Sequence, residues 1–125
     1  MSEPHALLVD DDKSIRFLLS TALTDSGFRV SEAENGQQAL SIYRNEFPDV
    51  IITDILMPDR DGLELMMAIQ GLNPDAKIIA ITGGGNLNQS LLLKMSETLG
   101  ATRVLQKPFN PEELVDAARE LLSSR

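Results

Sequence analysis

The stretch Val50-Ile51-Ile52-Thr53-Asp54 constrains the fold more than any other. A short apolar, β-branched run reads as a strand buried on both faces, and here it stops on a carboxylate, with Pro58 and Gly62 soon after. Strands of that kind belong to parallel sheets covered by helices on both sides. Asp54 then stands at a strand's carboxyl end, where the backbone turns. Alone, it could equally start that turn or cap the next helix.

The rest of the chain repeats the pattern. Ala6-Leu7-Leu8-Val9 is a first strand that ends in Asp10-Asp11-Asp12. Ile15, Leu18, Leu19, Ala22 and Leu23 follow at helical spacing, with Gly27 as the stop and Asp12 suited to the cap. Phe28–Ala33 is a second, less apolar strand that suits a sheet edge. Asn35 can cap a helix carrying Ala39, Leu40, Tyr43 and Phe47, which Pro48 ends. After Gly62, Leu65, Ile69 and Leu72 mark a third helix that runs to Asn73-Pro74. Lys77–Thr82 is a fourth strand, and Gly83-Gly84-Gly85 follows it. A fourth helix carries Leu87, Leu91, Leu92, Met95 and Leu99, and Gly100 closes it. Arg103–Gln106 is a short fifth strand before Lys107-Pro108-Phe109. Asn110, Pro111 and Glu113 open a last helix with a capping-box arrangement, and Leu114, Ala117, Ala118 and Leu121 supply its inner face. Five strands alternating with five helices give an α/β protein with a five-stranded parallel sheet.

A length of 125 residues, with 42% hydrophobic content, is enough for one core and is read as a single domain over residues 1–125. The absence of cysteine excludes disulfides, thiolate metal sites and a cysteine nucleophile, and fits a reducing compartment. Met1 to His5 has no basic-then-apolar leader, and nowhere do eighteen uninterrupted apolar residues occur, so a cytoplasmic protein with no membrane insertion is expected. A net charge of -8 argues against direct nucleic-acid binding. Metal ions or basic protein surfaces are better matched.

In open α/β sheets, ligands bind outside the carboxyl ends of the strands, where strand order reverses. In the order 2-1-3-4-5 that point falls between the first and third strands, which end in Asp10-Asp11 and Asp54. Thr82 and Lys107 end the fourth and fifth. Three carboxylates crowded in one crevice resist ionising unless a cation joins them. With oxygen ligands and no His or Cys nearby in sequence, Mg²⁺ is the expected ion. A hydroxyl at Thr82 and an ammonium at Lys107 suit phosphoryl oxygens, so the set fits phosphoryl transfer.

Leu8-Val9-Asp10-Asp11, the Asp54–Gly62 segment, Thr82-Gly83 and Lys107-Pro108-Phe109 together resemble the receiver domain of two-component response regulators, in order and spacing along nearly the whole chain. The resemblance implies the flavodoxin-like doubly wound fold with strand order 2-1-3-4-5 and five flanking helices. It implies a signalling switch in which Asp54 accepts a phosphoryl group from a sensor histidine kinase or histidine phosphotransfer protein. It also implies Asp11 as a direct Mg²⁺ ligand, Asp10 as one acting mainly through water, and the Leu56 backbone carbonyl as the remaining protein ligand beside Asp54. Thr82 and Lys107 would hold the phosphoryl oxygens, Gly83 would leave them room, and Lys107–Pro108 would be cis. Output would pass to a downstream protein target, or to an output domain if the sequence is a piece of a longer regulator.

Three details qualify that picture. Val104 stands where many receivers carry Tyr or Phe, so the switch is expected to be read by the loop Gly83–Asn86 instead. Leu56 and Gly84 would flank the path of attacking water, and apolar Leu56 would set acyl-phosphate lifetime. Phe17 and Leu93 point away from the buried faces of their helices and suit docking and output surfaces respectively. Asp59 and Asp61 fit turn-shaping roles, and His5 a packing or solvated one. A different class, a metal-dependent phosphohydrolase with Asp54 as nucleophile, usually needs an acid two residues on, where Leu56 stands. A flavodoxin-like cofactor binder would need a phosphate-cradling loop where Asp10-Asp11-Asp12 would repel the anion.

Overall fold

The computed structural model describes residues 3–55, 61–83 and 101–123. Five parallel strands, β1 (His5–Val9), β2 (Arg29–Ala33), β3 (Val50–Asp54), β4 (Ile78–Thr82) and β5 (Arg103–Gln106), form one sheet in the order β2-β1-β3-β4-β5. Among the described residues four helices cover it: α1 (Lys13–Asp25), α2 (Gly36–Glu46), α3 (Asp61–Leu72) and α4 (Pro111–Ser123). The helix expected around Leu87–Leu99, and with it Leu93, lies outside the described residues.

Period-two alternation sends neighbouring strand residues to opposite faces. Ala6, Leu8, Val50, Ile52, Ile79 and Ile81 join Leu19 and Leu23 of α1 and Leu114, Ala117 and Ala118 of α4 in one core layer. Leu7, Val9, Ile51, Ile78 and Ala80 join Ala39 and Tyr43 of α2 and Leu65, Met66 and Ile69 of α3 in the other. The apolar runs are continuous because both faces are buried, and each large side chain so placed contributes about 1.5–3 kcal/mol. β2, at one edge of the sheet, is less buried than the central strands, with Arg29 and Glu32 exposed.

Local signals set the helix ends. Asp12 caps α1, its Oδ1 accepting from Ser14 N at 2.9 Å and Ile15 N at 3.2 Å, and Gly27 turns the chain with φ +95°. Asn35 caps α2 by accepting from Gln38 N at 2.8 Å. Half of the capping box of α4 forms, Glu113 Oε1 accepting from Asn110 N at 3.4 Å.

Three apolar residues depart from their expected burial. Phe47 is not on the inner face of α2 but follows the helix in a left-handed conformation (φ 49°, ψ 62°), its ring edge-on to Tyr43 and 73% exposed. Leu72, at the last position of α3, and Leu18, on the flank of the α1 stripe, are also exposed; helical spacing marks a face but not how far the neighbouring element extends over it. Phe17 is exposed as expected.

His5 packs rather than being solvated, as the buried first residue of β1. Ser31 Oγ donates to Glu46 Oε1 at 2.7 Å, so it accepts from His5 Nε2 at 2.8 Å. His5 Nδ1 is left buried with no hydrogen-bond partner among the described residues. Burial, then the Arg29 guanidinium, hold the imidazole below its ordinary value of 6.5, against a smaller pull from Glu46 and Asp49. The unfolded chain therefore takes the proton more readily than the folded one. Stability associated with His5 is complete above pH 6.5 and is lost as pH falls through the lowered folded value. His5→Gln is expected to flatten the decline in Tm as pH falls below 6.5, read by calorimetry; parallel pH profiles for the two proteins would contradict this.

Candidate functional site

Strand pairing decides which side chains meet. Val9 is in register with Thr53, and Asp54 with Ile81, so Asp10, Asp54 and Thr82 leave three adjacent strands at the same edge. Lys107 N donates to Thr82 O at 2.8 Å, carrying the β5 pairing one step further and holding Lys107 beside that edge. Lys107 Nζ lies 3.1 Å from Asp54 Oδ2, a contact between residues 53 apart in sequence. The Lys107–Pro108 bond is cis. Asp10, Asp54 and Thr82 are all buried, and Asp11 is exposed.

Asp10 is tied to its surroundings through both its backbone and its side chain. Its amide donates to Ala33 O at 3.1 Å, and its Oδ1 accepts from Asp12 N at 2.9 Å. Oδ2 is buried without a hydrogen-bond partner among the described residues. Desolvation pushes the Asp10 carboxyl above its ordinary value of 3.8, and the nearby Asp54 and Asp11 charges add to this; the Asp12 amide and Lys107 oppose it. A buried, unpartnered anionic oxygen is costly unless a cation meets it. The oxygen-only donor set suits a hard divalent ion such as Mg²⁺. No three His, Cys, Asp or Glu side chains gather as a metal-ligating cluster among the described residues, and the backbone carbonyl of Leu56, the remaining expected ligand, lies outside them.

One site requirement escaped sequence reading. A Cβ at Gly62 would run into the backbone oxygen of Asp54 and lie 2.7 Å from Ile55 O. The start of α3 therefore presses directly on the backbone that carries Asp54. The Gly62 in the turn was visible, but not what it approaches. At Gly83 an added Cβ would meet nothing within 4 Å, so space is open there. Val104 is half-buried against the α2/α3-side core. The loop beyond Gly83, Gly84 itself and Asp59 lie outside the described residues.

Residues 6–119 match the family model of the response regulator receiver domain. The chain belongs to the response regulator receiver family. This receiver is 33% identical over 122 residues to Sporulation initiation phosphotransferase F of Bacillus subtilis, a match covering 98% of the chain and 96% of that protein. It is 36% identical to the probable transcriptional regulator ycf27 of Porphyra purpurea, where the match covers 93% of the chain and 46% of the longer protein. In three dimensions it superposes on a CheY-like response regulator receiver domain protein from Methanospirillum hungatei with a TM-score of 0.87 at 33% identity, covering 98% of this chain and 95% of that one. The receiver is thus a signalling module of the two-component type, and the doubly wound sheet expected from its sequence is the one it has. No helix among the described residues is long and apolar enough to cross a membrane.

Proposed function

We propose that the receiver is a phosphorylation-controlled switch in which Asp54 accepts a phosphoryl group from a phosphohistidine on a sensor kinase or phosphotransfer protein. The observation that carries this reading is the meeting of Lys107 Nζ and Asp54 Oδ2 at 3.1 Å, at the same sheet edge as Asp10, whose Oδ2 is buried with no hydrogen-bond partner among the described residues. A carboxylate oxygen of Asp54 attacks phosphorus as the phosphorus–nitrogen bond breaks, and the histidine ring leaves with its nitrogen reprotonated. Lys107 neutralises charge on the transferred group, and the Thr82 hydroxyl donates to one of its oxygens. Asp10, Asp11, Asp54 and the Leu56 carbonyl would hold Mg²⁺, which supplies charge neutralisation for the phosphoryl oxygens. Each cycle leaves an acyl phosphate that must be hydrolysed or passed on, so the chain acts as a switch rather than a turnover enzyme. A cytoplasmic setting fits the absence of cysteine. Output goes to a protein partner or to an attached domain. Sustained release of phosphate from small phosphoesters would instead favour the phosphohydrolase reading.

Two tests separate the parts. Asp10→Asn keeps an acceptor for the Asp12 amide but removes a buried charge whose carboxyl is pushed upward. A raised carboxyl value means that the folded state loses stability as pH rises above the ordinary 3.8. Without Mg²⁺ at pH 7 the variant is therefore expected to unfold a few degrees higher, about 1 kcal/mol, and to lose the extra stabilisation that Mg²⁺ gives the wild type. Lower stability in metal-free buffer would contradict this.

Phe17, 72% exposed on α1, follows the acidic turn on the chain and suits contact with the phosphodonor protein. Phe17→Ala is expected to slow phosphotransfer from a phosphohistidine protein about tenfold and to leave labelling by acetyl phosphate unchanged. Unaltered transfer kinetics would remove Phe17 from the docking surface.

A further inference from the structure

We infer that Arg16 is a positioning residue for the metal-binding carboxylate of Asp10, an inference that rests on the site reading above. Arg16 lies in the first turn of α1, its amide donating to Asp12 O at 3.0 Å, and its side chain is only 13% exposed. Helical side chains lean back toward the helix N-terminus, which returns the guanidinium to the β1–α1 turn. There Nη1 donates to Asp10 O at 2.7 Å, and Nε lies 3.4 Å from Glu32 Oε1 near the end of β2.

The polar groups of Asp10 are thereby divided between holding and presenting. The amide is fixed by Ala33 O, the carbonyl by Arg16 and Oδ1 by Asp12 N, and among the described residues Oδ2 alone is left without a partner. Three anchors on three different segments determine where that fourth atom points. Arg16 is the anchor supplied by a side chain, and its planar fork reaches two acceptors at once, a task a single ammonium does less well. Groups that orient a metal ligand rather than touching the ion typically affect affinity by about 10–100-fold.

A cation behind an acidic crevice could also act by charge, opposing the metal. Glu32 meets Arg16 with the opposite charge, so removing both charges together isolates the geometric part. Mg²⁺ titration of the full chain, followed by amide NMR shifts of residues 9–12 at a temperature well below each variant's Tm, reads the affinity directly. Arg16→Met is expected to raise the Mg²⁺ Kd about tenfold, and Arg16→Met/Glu32→Gln, which keeps the net charge, to remain equally weak. Glu32→Gln alone is expected to change Kd less than about threefold, because the bond to the Asp10 carbonyl survives.

Arg16→Lys, gentler on folding, keeps the charge and loses the fork, and an affinity between those of wild type and Arg16→Met is expected. Labelling by acetyl phosphate in Arg16→Met should need more Mg²⁺ but reach the wild-type maximal rate once Mg²⁺ saturates. Wild-type Mg²⁺ affinity in Arg16→Met or Arg16→Lys, recovery of affinity in the double variant, or a lowered maximal rate with unchanged affinity would each overturn the inference. A wild-type protein that fails to bind Mg²⁺ would instead overturn the site reading on which it rests.

Discussion

Gly62→Ala is expected to destabilise the receiver by about 3 kcal/mol or more and to slow phosphorylation of Asp54 even where the protein remains folded. The reason is geometric. The added methyl would overlap the carbonyl oxygen of Asp54 and stand 2.7 Å from that of Ile55, and both neighbours are backbone, which cannot rotate aside as a flexible side chain would. Ile55 is tied to β4 through its amide, which donates to Ile81 O at 2.9 Å. Relief must therefore come from moving the start of α3 or the end of β3. Moving α3 disturbs the packing of Leu65, Met66 and Ile69, whereas moving β3 shifts the Asp54 carboxylate relative to Lys107. Chemical denaturation gives the stability change, and labelling by acetyl phosphate well below the unfolding midpoint gives the effect on the site. A variant with wild-type values for both would show that the close approach does not constrain the molecule.

Asp54→Asn is expected to abolish acyl-phosphate formation outright, since the amide oxygen cannot act as the carboxylate nucleophile. Folding should survive. Asp54 is buried near Asp10, and removing its charge relieves repulsion on Asp10 as well as weakening the contact with Lys107. A net stability change within about 1 kcal/mol is expected, so loss of labelling in this variant reports chemistry rather than unfolding.

Much of this fold was legible because its strands are buried on both faces. Continuous apolar runs such as Leu7-Leu8-Val9 and Ile78-Ile79-Ala80-Ile81 leave few other structures that can hide them, and each ends on a polar residue that marks the sheet edge. The meeting of Asp54 with Lys107 followed from strand ends that share one edge, and Asp12 and Asn35 cap where their residue types suggested. Contacts between elements were less legible. Nothing in the local pattern says that α3 begins against the Asp54 carbonyl, or that Arg16 spans from α1 to Glu32 on β2. Phe47 and Leu72 matched an apolar stripe but fall where their helices run out, and no layer among the described residues covers them. His5 preceded the first apolar run in sequence, yet pairing with Arg29 makes it part of β1, and Ser31 and Glu46 compensate its burial.

The most direct test of Asp54 as phosphoryl acceptor is the intact mass of the protein after incubation with acetyl phosphate, measured with Mg²⁺ and with chelator for wild type and Asp54→Asn. The expected result is a gain of one phosphoryl group in the wild type, dependent on Mg²⁺, lost on mild alkaline hydrolysis, and absent from Asp54→Asn. A wild-type protein that gains no mass, or an Asp54→Asn protein that gains as much as wild type, would contradict it.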